Sequence, residues 1–355
     1  MPDSRVLSLK DKEEWRFLLT KLPVNMQDVY YTPEYYELYE KYGDGKALCF
    51  VYEKANKIAL YPFLINRIND LGYELDNEYY DIQGAYGYNG IVYSSDSQDF
   101  INSFYDEFNK FCEGNNIIAE FTRFNPLLKN SNFSERHLTT HYSRQTVYID
   151  LSKNYEQLLN GYSPPCKRNI KAANKNKFKV SIYDKQYPYR KDFINLYQET
   201  MKRLDSEPYL FFNDNYFQDL FKYNPLIQIV IFKEDLPIAS AIFLCKDNYL
   251  HYHLGASDSE YLIFRPNNLI FDEIIKYGIK QGFKLIHLGG GKSSAKNDSL
   301  FRFKKGFSDS ISEFHIGHKI YNEAVYKKVL SIWGEKYPNL VSKYSNIILR
   351  YRFLD

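Results

Sequence analysis

Residues 226–254 read LIQIVIFKEDLPIASAIFLCKDNYLHYHL, and their punctuation decides the fold. Leu226 to Phe232 is a nearly continuous run of aliphatic and β-branched residues, too short for a buried helix and dense enough for a buried strand. Lys233 to Pro237 has turn chemistry. Ile238 to Cys245 is a second strand, Lys246 to Asn248 a second turn, and Tyr249 to Leu254 a third strand. Three strands joined by tight turns form an antiparallel meander.

Moving outward, Pro266 to Gly282 reads as a helix, with proline near its start, apolar residues at helical spacing (Ile270 with Ile274, Phe271 with Ile275 and Ile279) and glycine at its end. It feeds a short strand, Lys284 to Leu288. The first half repeats the order: Ala47 to Glu53 and Lys57 to Asn66 form a hairpin, Tyr79 to Tyr93 holds further extended chain, Gln98 to Gly114 is helical, and Asn116 to Phe121 is a strand. Strand, strand, strand, helix, strand thus occurs twice. The expected boundary lies near Tyr148 to Ser152, giving lobes of residues 1–147 and 148–355, with the catalytic cleft in the second. The fold class is α+β, or mixed α/β: two lobes, each a mixed, mostly antiparallel sheet flanked by helices.

Composition narrows the function classes. At 355 residues, 44% hydrophobic and 25% charged, the chain has enough apolar material for two real cores. A formal charge of +2 argues against wholesale coating of nucleic acid, although local basic patches fit within it. No apolar run is long enough to span a bilayer, and the start lacks a signal-peptide core, so the expected location is the cytoplasm. Cys49, Cys112, Cys166 and Cys245 have neither zinc-finger spacing nor a histidine pair nearby, so no metal and no disulfide framework is expected.

A sheet of this order, with its ligand at the strand ends between meander and helix, resembles the GNAT acyltransferases. Several segments resemble the bacterial FemAB family and its GNAT-type relatives in surface-polysaccharide clusters: Asp28 to Tyr36, the Tyr-Gly-Tyr-x-Gly loop in Asp81 to Gly90, Glu120 to Pro126, the basic helix Cys166 to Ala173, Thr200 to Leu204 with Tyr209, Leu288 to Gly291, and Phe303 to Phe307. The resemblance runs in order along nearly the whole chain. It implies a bacterial acyltransferase or aminoacyltransferase that acts on an amino group of a phosphate-linked precursor, either a peptidoglycan stem or an amino sugar of a capsule or O-antigen. No cofactor is expected to be resident; the donor co-substrate is aminoacyl-tRNA or acyl coenzyme A. The implied partners are a nucleotide- or lipid-linked sugar, tRNA, and the membrane surface by transient contact. Two departures stand out: the long helical hairpin of some members has no room here, and the glycines that cradle coenzyme A pyrophosphate are absent near Phe264 to Leu269. A non-catalytic module that binds a nucleotide sugar or tRNA is the alternative.

Acyl transfer to an amine needs a positive group near the developing oxyanion. Lys304 matches the family's Phe-Lys position and is the first choice, with a solvated lysine as the plain alternative. Arg302, Lys304 and Lys305 follow the triplet Gly289, Gly290 and Gly291, which lets a ligand approach the backbone closely. Read as a strand, this stretch points Lys305 away from Lys304. Lys167, Arg168 and Lys171 head a basic helix suited to a diphosphate or to plain solvation. Tyr86 and Tyr88 either line an acceptor groove or pack the fold. Arg123 either contacts ligand or sits in a buried ion pair. His251 and His253 share a strand face but lack a third ligand, which leaves His253 to line the cleft.

Overall fold

The structure is a computed structural model that describes residues 3–223, 225–295 and 297–354. The chain forms two units, one made of everything up to Ser143 together with everything from Phe314 onward, the other of Arg144–Glu313.

The first unit opens with β1 (Asp3–Ser8), α1 (Lys12–Thr20), α2 (Pro33–Tyr42), β2 (Lys46–Lys54), β3 (Lys57–Arg67), β4 (Tyr80–Gln83), β5 (Val92–Tyr93), α3 (Gln98–Gly114) and β6 (Ile117–Arg123). Its sheet runs β1-β2-β3-β4-β6, antiparallel throughout except for the parallel pair β4 and β6, while β5 pairs with β3. Helix α3 forms because Phe100, Phe104, Phe108 and Cys112 recur every fourth residue and bury one face.

Strand β7 (Thr139–Asp150) carries the chain into the second unit. There follow α4 (Tyr155–Gly161), α5 (Pro164–Lys175), β8 (Lys179–Tyr183), α6 (Arg190–Arg203), α7 (Asp214–Leu220), β9 (Leu226–Lys233), β10 (Leu236–Lys246), β11 (Tyr249–Ser257), α8 (Pro266–Gln281), β12 (Leu285–Gly290) and α9 (Ser299–Lys305). The expected meander is β9-β10-β11, antiparallel, and β12 joins β11 in parallel after the α8 crossover. The crossover helix starts on Pro266 and stops on Gly282, which takes the left-handed φ of +81° that a helix end requires and a side chain resists.

Beyond α9, β13 (Ile311–Ile320) returns to the first unit, followed by α10 (Glu323–Lys336) and α11 (Pro338–Lys343). The sequence pattern places all of residues 148–355 in the second lobe; the chain from Phe314 on is instead part of the first. The reason is a strand exchange. β7 follows the first unit's β6 but pairs with β12, whereas β13 follows the second unit's helix α9 but pairs with β6 over Ile316–Ile320. Trp333 and Tyr351 then close a cluster with Ile68, Tyr73 and Ile118, and Arg352 forms an ion pair with the buried Asp81 of β4.

A second correction concerns Phe301 to Lys305, read as a strand because aromatic and charged residues alternate. It is helix α9. Asp298 caps it, Oδ1 accepting from the Phe301 amide at 2.9 Å, and Phe303 and Phe307, four apart, both pack on Phe271 of α8 with ring centroids at 5.3 Å.

Candidate active site

β11 and β12 pair only from Tyr249 opposite Leu285 to His251 opposite His287. Past that point each strand bends through a bulge. On β11 the extra residue is His253, since Tyr252 opposes Phe243 and Leu254 opposes Ile242. On β12 it is Leu288, between His287 opposite Tyr148 and Gly289 opposite Val147. Bulges increase local twist and turn a strand aside. Two parallel strands that separate at their carboxyl ends leave a crevice, the usual ligand position in open sheets.

Lys304 occupies that crevice. It is 5% exposed, its Nζ donates to the Gly290 carbonyl of β12 at 2.7 Å, and it lies 5.3 Å from the ring centroid of Tyr252 on β11. One ammonium thus touches both diverging strands. Burial lowers its pKa to about 7, against the raising effect of Asp298, while Arg144 lowers it further. The nitrogen can therefore give up or take a proton near neutral pH, a property that an exposed lysine lacks.

The loop around it is held by polar contacts. Arg144 of β7 donates to the carbonyls of Gly291 and Lys292, each at 2.9 Å. Asp298 accepts from the Ser293 amide at 3.0 Å and its hydroxyl at 3.2 Å, in addition to capping α9. Gly291 permits this closeness, because a Cβ there would lie 2.2 Å from Asp298 Oδ1, and Gly289 turns the strand end with φ +75°.

Tyr252 meets Lys304, whereas its neighbour His253 bonds to α7, where Tyr216 Oη lies 2.8 Å from Nε2. His251 and His287 stand edge to face at 5.6 Å. Burial, then the His251 charge, lowers the His253 pKa to about 3. His287 is also held well below the usual range by burial, His251 and Lys304. Both rings are neutral at ordinary pH. Among the described residues no group of three histidines, cysteines or carboxylates is placed to hold a metal.

The sequence candidates fall into separate groups. Lys304, Gly289, Gly290 and Gly291 come together at the crevice, whereas His253, expected to line the cleft, turns to Tyr216 of α7 instead. Arg302 and Lys305, on the same helix, are exposed. On α5, Arg168 and Lys171 are also exposed, and Lys167 donates to Asn160 O at 2.8 Å. That helix begins against the end of α9, with the Ser163 amide donating to Gly306 O at 2.9 Å; its Cys166 is buried, and burial followed by the nearby Asp272 charge pushes the thiol up to about 12. Tyr209, between α6 and α7, is 65% exposed.

In the first unit Tyr86, Tyr88 and Arg123 form their own group. There the parallel pair β4 and β6 ends at Gln83 opposite Phe121, and the loop that follows fills the gap: Asn89 bridges to Phe124, its amide donating to Arg123 O at 2.6 Å. The Arg123 guanidinium donates to Gly84 O at 3.1 Å and Ala85 O at 2.9 Å, which holds the loop in place. Tyr88 packs edge-on against Tyr30 and Phe314, each at 5.3 Å, and Tyr86 stacks on Tyr39 at 6.4 Å.

Sequence reasoning missed Arg144, Tyr252 and Asp298. Only Asp298 carried a signal, an acidic residue three positions ahead of the first half-buried aromatic of a helix. At the start of α8, Arg265 adopts φ +62° where glycine was expected to be needed. Pro266 has no N–H, and the Asn268 amide is already donated to Arg265 O at 3.0 Å, so this helix start has few donors for a phosphate.

Residues 227–327 match the model of the FemAB family. Among solved structures the chain is similar to FemX, at 14% identity over 92% of this chain and 99% of that one, with a TM-score of 0.69. It is similar to the C-terminal domain of a putative lysylphosphatidylglycerol synthetase from Agrobacterium fabrum, at 12% identity over 91% and 94%, TM-score 0.54. A tandem GNAT protein from the clavulanic acid biosynthesis pathway matches at 7% identity over 91% and 99%, TM-score 0.51. No curated protein matches the sequence. At such identities the structural likeness is one of fold, a tandem GNAT-like fold in one chain, and the segment that matches the FemAB family spans the crevice strands β11 and β12.

Proposed function

We propose that the chain transfers an aminoacyl group to an amino group of a phosphate-linked cell-envelope precursor, a peptidoglycan stem or an amino sugar of a surface polysaccharide, on the cytoplasmic side. The observation that carries this reading is the buried Lys304 ammonium between two diverging parallel strands. In the reaction the acceptor nitrogen attacks the ester carbonyl of the donor, and negative charge builds on the carbonyl oxygen. A cation in a dry crevice stabilises that charge far more than one in water. The ester C–O bond then breaks, the amide remains, and the amine proton leaves with the alcohol. With a pKa lowered to about 7, Lys304 is partly neutral when the crevice is empty and takes up its proton fully as an anion arrives.

Aminoacyl-tRNA is the favoured donor, because the α8 start offers a poor pyrophosphate cradle and because one structural relative is by name a lysylphosphatidylglycerol synthetase. Acyl coenzyme A is the second donor, favoured by the modest net charge of +2. Arg168 and Lys171 on α5 are the proposed phosphate contacts, with Tyr209 on the acceptor side.

The test is to incubate the purified chain with nucleotide-linked and lipid-linked amino sugars and bacterial lysate, with and without ribonuclease, and to follow mass changes. Loss of the product after ribonuclease identifies tRNA as donor. Lys304→Ala is expected to lower turnover by about a hundredfold or more while precursor binding changes by less than about tenfold. Binding without turnover from any donor would show a recognition module instead.

A further inference from the structure

The amine in the crevice has a second reactivity that its surroundings leave open. Among the described residues Lys304 Nζ donates to the Gly290 carbonyl at 2.7 Å and faces the ring of Tyr252, 5.3 Å from its centroid. A neutral amine there keeps two N–H groups and one lone pair. A carbonyl oxygen and a ring face are both electron-rich, so neither engages the lone pair. Nor does a carboxylate hold the nitrogen in its charged form. Asp298, whose charge reaches Lys304, has both oxygens occupied: Oδ1 accepts from the Phe301 amide at 2.9 Å, and Oδ2 from the Ser293 amide and hydroxyl at 3.0 and 3.2 Å. With burial bringing the pKa to about 7, roughly half the nitrogen is neutral at pH 7 and can act as a nucleophile.

The elements packed around it preserve that state. After burial, Asp298 acts to raise the Lys304 pKa and Arg144 of β7 to lower it. His287 of β12 is neutral, held low by burial, His251 and Lys304. Helix α8 presents the apolar ring of Phe271, and α5 presents Cys166 near Gly306, a thiol that burial and then Asp272 keep protonated. Arg302 and Lys305, on the same helix as Lys304, are exposed. Stabilising a carbonyl oxygen and attacking the carbonyl carbon require nearly the same place. A nitrogen in hydrogen-bond contact with the oxygen is within about 1 Å of the roughly 3–3.5 Å contact from which an amine attacks the carbon.

We propose that Lys304 is a self-acylation site, its amine taking the acyl group of an activated ester or thioester when no acceptor amine stands in the crevice. Nζ attacks the carbonyl carbon, the C–O or C–S bond breaks, an amide forms at Nζ, and the alcohol or thiol leaves with the amine proton. No further reactant is required. The amide carries no positive charge, so an acylated chain has lost the cation that faces the developing oxyanion and is closed to further transfer. Its meaning for the cell, a stop on donor use when acceptor runs out, rests on the transferase reading; the reactivity of the amine is measured without it.

The test treats the full chain with p-nitrophenyl acetate, a small activated ester, with no acceptor present and with N-acetyl-lysine amide in the same tube as an internal standard. Peptide mass spectrometry reads the acetyl group at Lys304 and at the exposed lysines. From pH 7 to pH 9 the rate at Lys304 is expected to rise only about twofold, because half the amine is already neutral at pH 7, while the standard, with an ordinary lysine pKa near 10.4, rises close to a hundredfold. In urea above the unfolding midpoint Lys304 should follow the standard. A Lys304 profile parallel to the standard in the folded chain overturns the proposal, as does an early plateau that survives unfolding. So does acetylation of exposed lysines such as Lys305 with none at Lys304. Acetylation at Lys304 with the expected profile, but no transfer from any donor to any acceptor by the untreated chain, counts against the transferase reading alone and leaves the modification site standing.

Discussion

Replacing Lys304 by methionine should make the protein more stable while removing its proposed activity. The folded-state pKa of Lys304 lies at about 7, down from an ordinary 10.5, because burial disfavours the charged form. Every tenfold loss of proton affinity corresponds to about 1.4 kcal/mol, so the full difference is on the order of 5 kcal/mol. Between pH 7 and 10.5 the unfolded chain holds the proton and the folded chain does not, so stability rises with pH across that window. Below pH 7 both states are protonated, and the whole burden falls on the folded state. The penalty is thus roughly 4 kcal/mol at pH 7 and about 2 at pH 9. Methionine keeps the unbranched shape and carries no charge. It gives up the bond to the Gly290 carbonyl, whose lost partner costs about 1–3 kcal/mol. The net expectation is a gain of about 1–3 kcal/mol at pH 7 that shrinks or reverses at pH 9, read from urea unfolding at both pH values. A variant less stable than the parent at pH 7, or a difference independent of pH, would refute the idea that this lysine is held in the crevice against its own solvation.

Other outcomes follow from the same contacts. Arg352→Ala leaves the Asp81 carboxylate buried without its cation and should cost about 3–5 kcal/mol, with Asp81→Asn in the same chain recovering most of the loss; calorimetry of the single and double variants decides it. Gly291→Ala places a methyl 2.2 Å from Asp298 Oδ1 and should uncap α9, lowering turnover well before it lowers the melting temperature by more than the effect of about 1 kcal/mol expected for a lost cap. Tyr216→Phe removes the hydroxyl beside His253 Nε2 and should cost about 1 kcal/mol, equally at pH 6 and pH 8, because an imidazole with a pKa near 3 does not titrate there; a pH-dependent loss would contradict a neutral ring.

The meander, the crossover helix and their counterparts in the first half were legible because each is written locally. Proline and glycine bracket α8, a four-residue aromatic period marks α3, and turn residues separate β9, β10 and β11. What escaped was non-local or ambiguous. The return of the chain from Phe314 to the first unit depends on pairings such as Ile316 with Arg123 and on Asp81 meeting Arg352, partners far apart in sequence. In α9, alternation of phenylalanine with cations has the period of a strand, and tertiary packing of Phe303 and Phe307 on Phe271 overrides it. At the site, the glycines and Lys304 were visible as types in a pattern. Arg144 was not, since it acts on the carbonyls of Gly291 and Lys292 from a strand more than a hundred residues upstream.

The exchange of β7 and β13 also sets a schedule for synthesis. A chain emerging from its amino end normally folds unit by unit, yet here the first unit lacks the strand that lies beside β6, and the partner of Asp81, until the ribosome has delivered Ile316–Ile320 and then Arg352. The second unit, Arg144–Glu313, is contiguous and can close first. During the interval β6 presents an open edge and Asp81 of β4 lacks its cation, so the nascent first unit is the stage at which chaperones and proteases have most to act on.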